Sequence, residues 1–158
     1  MLATGGTSGH LHVVSADTST AGISVSVPSE IESLAWNPFQ PNEVSITTED
    51  GYLNTYDVRN FTQPLASLQA HSKACRVDYS PGVSHLMATA SADHTVKVWD
   101  TRGMVPVAER NMQVGGLFTM QFYKDSPFIL ACGGTDGKLG IWDTEENANV
   151  SERFSSNQ

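Results

Sequence analysis

Short runs of alternating apolar and polar residues recur along the chain, and turn-forming residues bound each run. Three of these runs end in an aromatic residue followed by aspartate: Leu53–Asp57, Val96–Asp100 and Leu139–Asp143. Apolar residues at alternate positions place one side of a strand against a core. The pattern therefore predicts an all-β chain of short strands joined by tight turns.

The three runs belong to a 43-residue repeat. The aromatic–aspartate steps share this spacing: Tyr56-Asp57, Trp99-Asp100 and Trp142-Asp143. A second aspartate precedes each of these strands and recurs every 43 residues, at Asp50, Asp93 and Asp136. Asp followed by Gly or His favours a tight hairpin turn. Residues 2–15 match the frame again, with Ser8 in place of the turn aspartate, so the chain is expected to begin inside a repeat.

Each copy accommodates four strands, named a to d. In the third copy they are predicted at Ala74–Tyr79, Leu86–Ala90, Thr95–Trp99 and Pro106–Arg110. In the fourth copy a weak strand d is predicted at Val150–Phe154. The predicted divisions are a partial blade at 1–27, a second blade at 28–68, a third at 69–111, a fourth at 112–154 and a tail at 155–158.

A period of 40–45 residues with four strands and a Trp-Asp ending resembles the WD repeat of β-propellers. The resemblance implies a structural tetrad of hydrogen-bonded side chains in the third copy: His71, Ser91 (or Thr89), Asp93 and Trp99. The second copy has Pro28 where His71 aligns, and the fourth has Val114. Those two blades are expected to depend more on apolar packing.

The length corresponds to about 3.7 blades, whereas propellers close their ring with roughly 4–8. The expectation is therefore a propeller fragment, an open arc cut from a longer chain. A homodimer that pairs two arcs into one ring is the alternative. An open arc by itself would expose apolar blade faces and unpaired strand edges.

A narrower resemblance is to the periodic tryptophan protein family, first type. The segments that carry it lie between about residues 30 and 154: Ala35–Phe39, Glu49–Tyr52, Glu109–Phe118, Gly140–Thr144, Asn147, Val150 and Arg153-Phe154. Members of that family are nuclear and nucleolar WD-repeat proteins of large ribosomal subunit assembly. The resemblance implies the same location and role for this chain.

The net charge of −8 disfavours nucleic acid as a direct partner and favours basic proteins, although six of the seventeen acids recur at repeat positions. The two cysteines, Cys75 and Cys132, are expected to be buried free thiols in a reducing compartment. His10 and His12 share one strand face, but no third ligand accompanies them, so no metal or other cofactor is expected. No apolar run is long enough to span a membrane.

These features favour a non-catalytic scaffold for protein–protein interaction. Its partners would be ribosomal proteins, assembly factors or, for a generic WD-repeat adaptor, basic tails such as those of histones. The candidate partner-binding face consists of loop residues: Glu30, Glu32, Glu49, Lys73, Arg76, Phe118 and Thr135. An enzyme is disfavoured, because the Ser, His and Asp of the third copy have structural roles and no Gly-x-Ser-x-Gly elbow exists. Nine scattered Lys and Arg residues predict weak or absent RNA binding by this segment.

Overall fold

The computed structural model describes residues 1–15 and 22–155, and the chain divides into two compact units, Met1–Cys75 and Arg76–Gln158. The fold is all-β, as predicted, with four antiparallel sheets in which strands adjacent in sequence are also adjacent in the sheet. Residues 16–21 of the predicted first blade and 156–158 of the predicted tail lie outside the described residues. The sheets follow the predicted repeats in order, whereas the blade boundaries stay a prediction.

The first unit contains two sheets. The three-stranded sheet consists of β1 (Leu2–Thr4), β2 (His10–Val14) and β3 (Ile23–Ser26). The four-stranded sheet consists of β4 (Ile31–Trp36), β5 (Glu43–Thr48), β6 (Tyr52–Asp57) and β7 (Ala66–Gln69). Their facing apolar side chains form one core that includes Leu11, Val13, Val44, Ile46 and Tyr56.

The third sheet consists of β8 (Cys75–Tyr79), β9 (Leu86–Ser91), β10 (Thr95–Asp100) and β11 (Val105–Asn111). These strands agree with the predicted ones to within one residue at each end. The fourth sheet consists of β12 (Leu117–Tyr123), β13 (Ser126–Gly134) and β14 (Leu139–Asp143). The core of the second unit includes Val96, Val98, Leu130 and Trp142.

The strand d predicted at Val150–Phe154 is wrong, because a 3₁₀ turn at Thr144–Glu146 leads instead into helix α1, Ala148–Phe154. The Asn147 side chain caps the helix by accepting a hydrogen bond from the Asn149 backbone N–H at 3.0 Å. Val150 and Phe154, one helical turn apart, are buried in the core of the second unit. A capped α-helix, and not a strand, therefore buries Val150 and Phe154.

The b–c turns show why glycine occupies two of three equivalent positions. Gly51, His94 and Gly137 have φ angles of 87°, 79° and 68°, in the left-handed region. Each donates its backbone N–H to the carbonyl three residues earlier. A Cβ added at Gly51 would lie 2.1 Å from the His71 carbonyl oxygen, whereas one at Gly137 would meet nothing within 4 Å.

We therefore expect Gly51→Ala to lower the free energy of unfolding by about 2 kcal/mol more than Gly137→Ala. Both substitutions carry the same left-handed strain, so their difference isolates the collision with the His71 carbonyl group. Urea unfolding of the two variants measures this difference. Equal losses would mean that the loop carrying His71 moves aside at little cost.

Candidate interaction surface

Two acidic residues of the candidate face meet at one end of the second sheet. Glu30 precedes β4 and Glu49 follows β5, and the Glu49 backbone N–H donates to the Glu30 carbonyl at 3.0 Å. Both residues are exposed, whereas Glu32 is half-buried on β4. Asp50, which the sequence assigned only to the turn, is also exposed beside Glu49. The cluster formed by Glu30, Glu49 and Asp50 is called the acidic edge below.

Basic side chains are scarce in the segment that forms the second sheet. Residues 22–69 contain six carboxylate side chains and one basic side chain, Arg59. Arg59 is paired with Asp57, at 2.6 Å between the guanidinium nitrogen Nη2 and the carboxylate oxygen. Asp57 ends β6 and Arg59 follows it, whereas Asp50 precedes the start of β6, so this ion pair does not neutralise the acidic edge. The backbone of the exposed Lys73 lies beside Gly51, next to Asp50. The acidic edge therefore has three exposed carboxylates and one lysine beside it, and it keeps an excess of negative charge.

The remaining residues of the candidate face belong to different parts of the chain. Lys73 is an exposed residue of the first unit. In the second unit, the Arg76 Nε donates to the Phe118 carbonyl at 2.9 Å, and the Phe118 side chain is 54% exposed. The Thr135 hydroxyl accepts from the Gly116 backbone N–H at 3.0 Å. Arg76 on β8 and Phe118 on β12 lie within strands, as does Glu32 on β4, so the prediction that these three are loop residues is wrong. Arg76, Phe118 and Thr135 belong to the second unit, while Glu30, Glu32, Glu49 and Lys73 belong to the first.

The predicted tetrad residues of the third copy form hydrogen bonds at two places, between strands β9 and β10 and in the turn that joins them. The Trp99 indole N–H donates to the Thr89 hydroxyl at 2.9 Å, so Thr89 and not Ser91 receives the indole. Ser91 accepts from the Asp93 backbone N–H at 3.1 Å, and Asp93 accepts from the Thr95 hydroxyl at 2.7 Å. His71 is buried in the first unit, and its pairing within the tetrad stays a prediction.

Two of the three aspartates that end the repeats bind arginines, which sequence reasoning missed. The signal was an Asp-x-Arg pattern at 57–59 and 100–102, which becomes Asp-x-Glu at 143–145. Hydrogen bonds from the Arg59 side chain lower the pKa of the half-buried Asp57 to about 2. Asp143 instead accepts from the Glu145 backbone N–H at 3.1 Å and caps the 3₁₀ turn.

Asp100 is the buried member of this set. Its carboxylate accepts from Arg102 at 2.8 Å and from Arg153, on α1, at 2.5 Å. Burial alone would raise the pKa of Asp100, but the hydrogen bonds from Arg102 and Arg153 outweigh it and hold the pKa well below its ordinary value. The Trp-Asp ending of the third copy therefore anchors the terminal helix.

Across residues 1–15 and 22–155, no group of three or more His, Cys, Asp or Glu side chains is placed to hold a metal ion. His10 and His12 are exposed and stack with ring centroids 6.0 Å apart. Cys75 and Cys132 are buried free thiols, as predicted, and burial raises the pKa of Cys132. None of the described helices is long and apolar enough to cross a membrane.

Comparison with known proteins identifies the repeat. The family profile described as WD domain, G-beta repeat matches residues 62–100 and 113–143. An uncharacterized WD repeat-containing protein of Schizosaccharomyces pombe is 35% identical over 84% of this chain and 27% of its own length. The Periodic tryptophan protein 1 homolog of Drosophila melanogaster is 30% identical over 73% of this chain and 26% of its own length. The chain thus spans about a quarter of these relatives.

A solved structure and a further sequence relative add to this comparison. A chain in the crystal structure of a mitotic checkpoint complex matches with a TM-score of 0.81 and 20% sequence identity, covering 92% of this chain and 45% of its own. The E3 ubiquitin-protein ligase COP1 of Arabidopsis thaliana is 29% identical over 85% of this chain and 20% of its own length. WD-repeat folds generally serve as non-catalytic interaction scaffolds. The chain therefore carries WD repeats and has the all-β fold of WD-repeat propeller proteins.

Proposed function

We propose that the acidic edge binds a Lys/Arg-rich segment of a partner protein, and that the chain serves as a scaffold in large ribosomal subunit assembly in the nucleolus. The observation that carries the binding proposal is the exposure of Glu30, Glu49 and Asp50 together at one end of the second sheet. Similarity to the Periodic tryptophan protein 1 homolog supports the assembly role. Ribosomal proteins have the basic tails that such an edge attracts, and a histone-tail adaptor is the alternative.

A triple charge swap of Glu30, Glu32 and Glu49 to Lys tests the acidic edge, because it reverses two of the three edge carboxylates together with Glu32 on the adjoining strand β4. We expect about a ten-fold or larger loss of affinity for a basic peptide from a large-subunit ribosomal protein, because attraction becomes repulsion. The control swaps three exposed acids of the second unit to Lys: Asp125, Asp136 and Glu146. This control changes the net charge equally.

Fluorescence anisotropy of the labelled peptide, repeated at several salt concentrations, gives both affinities. Equal weakening by the two triple variants would show that only net charge matters and would contradict a localised edge. Unchanged affinity in the Glu30/Glu32/Glu49 variant would remove the edge altogether. A histone-tail peptide of equal charge, bound more tightly than the ribosomal peptide, would favour the adaptor alternative.

A further inference from the structure

A cavity of about 410 Å³ lies within the first unit, against strand β6. Three alternate residues of that strand line it: Tyr52, Asn54 and Tyr56. Pro28, Thr48 and Asp50 also contribute to its wall. We call this cavity the β6 pocket.

The β6 pocket occupies the tetrad position of the second copy. The 43-residue period aligns Pro28 with His71, Thr48 with Ser91, Asp50 with Asp93 and Tyr56 with Trp99. All four residues of the second copy line the pocket. Proline has no hydrogen-bonding ring, and tyrosine carries a single ring in place of the indole. The repeat therefore keeps the hydroxyl and the carboxylate here, while the imidazole is absent.

One polar side chain in the pocket lacks a protein partner. Asn54 is only 7% exposed, and its amide makes no hydrogen bond with any residue in the described part of the chain. The described residues contain no fully enclosed, unpaired polar side-chain atom, so the amide must reach the pocket. Because the amide opens into the pocket, it is available to a ligand able to pair with it.

The pocket also presents negative charge and aromatic surface. The Thr48 hydroxyl donates to Asp50 Oδ1 at 2.5 Å, and Oδ2 makes no hydrogen bond with the described residues, which leaves it open to a ligand. Tyr52 is 40% exposed at the pocket wall. Glu49, next to Asp50, extends this negative charge along the acidic edge, and none of the lining residues is basic. Carboxylate, amide and phenol rings together form a cation-binding set.

We propose that the β6 pocket takes the side chain of one arginine from the basic segment that the acidic edge attracts, and in this respect it rests on the proposed function. A guanidinium group is planar and weakly hydrated, with five N–H donors. It can stack on a tyrosine ring while donating to a carboxylate and an amide oxygen. A lysine ammonium is more strongly hydrated and lacks the stacking plane, so arginine is the preferred occupant.

The test uses the 158-residue chain and three short peptides that differ at one position. The peptide acetyl-Gly-Ser-Arg-Ser-Gly-amide is titrated into labelled protein and followed by NMR, beside its lysine and citrulline counterparts. We expect the arginine peptide to bind about five-fold or more tightly than the others. Its shifts should be centred on the amides of residues 50–56.

Two conservative variants locate the binding. Asp50→Asn and Tyr52→Leu should each weaken the arginine peptide about five-fold or more, since one removes the charge and the other the ring. Phe39→Leu is the matched control, because Phe39 is a similarly exposed aromatic residue that does not line the pocket. Both pocket positions are exposed, and thermal melts verify that each variant remains folded.

The outcomes separate the pocket from the acidic edge. Equal binding of the arginine and citrulline peptides, or unchanged binding in both pocket variants, would overturn the arginine pocket. That result would leave the acidic edge standing if the triple charge swap still weakened the long basic peptide. Pocket-dependent arginine binding, together with unchanged affinity of the triple-swap variant for the long basic peptide, would support the pocket and remove the edge.

Discussion

Replacing Trp99 with alanine is expected to lower the free energy of unfolding by about 3–5 kcal/mol. The indole is 3% exposed, so its removal leaves a cavity, and its N–H loses the Thr89 hydroxyl 2.9 Å away. Chemical denaturation of the 158-residue chain measures the loss. A change below about 1 kcal/mol would mean that the third sheet does not depend on this residue.

The fourth copy provides the matched control for the hydrogen bond. Trp142 is equally buried, at 4% exposure, but Cys132 stands where Thr89 stands, and the indole N–H has no acceptor among the described residues. Trp99→Phe should therefore cost about 1 kcal/mol more than Trp142→Phe. Equal losses would show that the Trp99–Thr89 bond adds nothing beyond packing.

Asp100→Ala is expected to cost about 3 kcal/mol, because it leaves two arginines without their shared carboxylate. The estimate is at the low end for a buried ion pair, since the Arg102 and Arg153 side chains are about half exposed. Loss of the bond to Arg153 should also loosen α1, which amide hydrogen exchange of residues 148–154 would detect. Full protection of the helix in the variant would contradict the anchoring role.

The same network predicts a pH dependence. The pKa of Asp100 in the folded chain lies below its ordinary value of 3.8, so its stabilisation is complete well above that pH. It is lost progressively as the pH falls below about 4, because the unfolded chain then binds a proton at this carboxylate more readily than the folded chain does. Asp100→Asn should flatten the acid limb of a stability–pH curve. Asp57→Asn should flatten it less, because the Arg59 side chain is 71% exposed.

The candidate face was predictable in part. Sequence position placed Glu30 and Glu49 in neighbouring loops, and the structure joins them through a backbone hydrogen bond. The contact of Arg76 with the Phe118 carbonyl, across 42 residues, had no sequence signal. The β6 pocket was also hidden, because the repeat indicates that the imidazole is missing but not that the space stays open.

The sequence by itself determined the fold class and the strands of the third copy. A 43-residue period, alternating apolar residues and turn aspartates are local signals that agree with one another, and a β-hairpin obeys local rules. A partial first blade also followed from the pattern, since residues 2–15 match the middle of the repeat, and the first sheet has three strands.

Only the tertiary structure decided that residues 148–154 form a helix and not a strand, and that Thr89 accepts the hydrogen bond from the Trp99 indole. Val150 and Phe154 are four residues apart, a spacing that places both on one side of either a strand or a helix. Their burial in the core, the Asn147 cap and the Arg153–Asp100 bond accompany the helix. Thr89 and Ser91 share one strand face, so only the packed position of the indole selects Thr89. Such choices depend on contacts distant in sequence, which a local pattern does not contain.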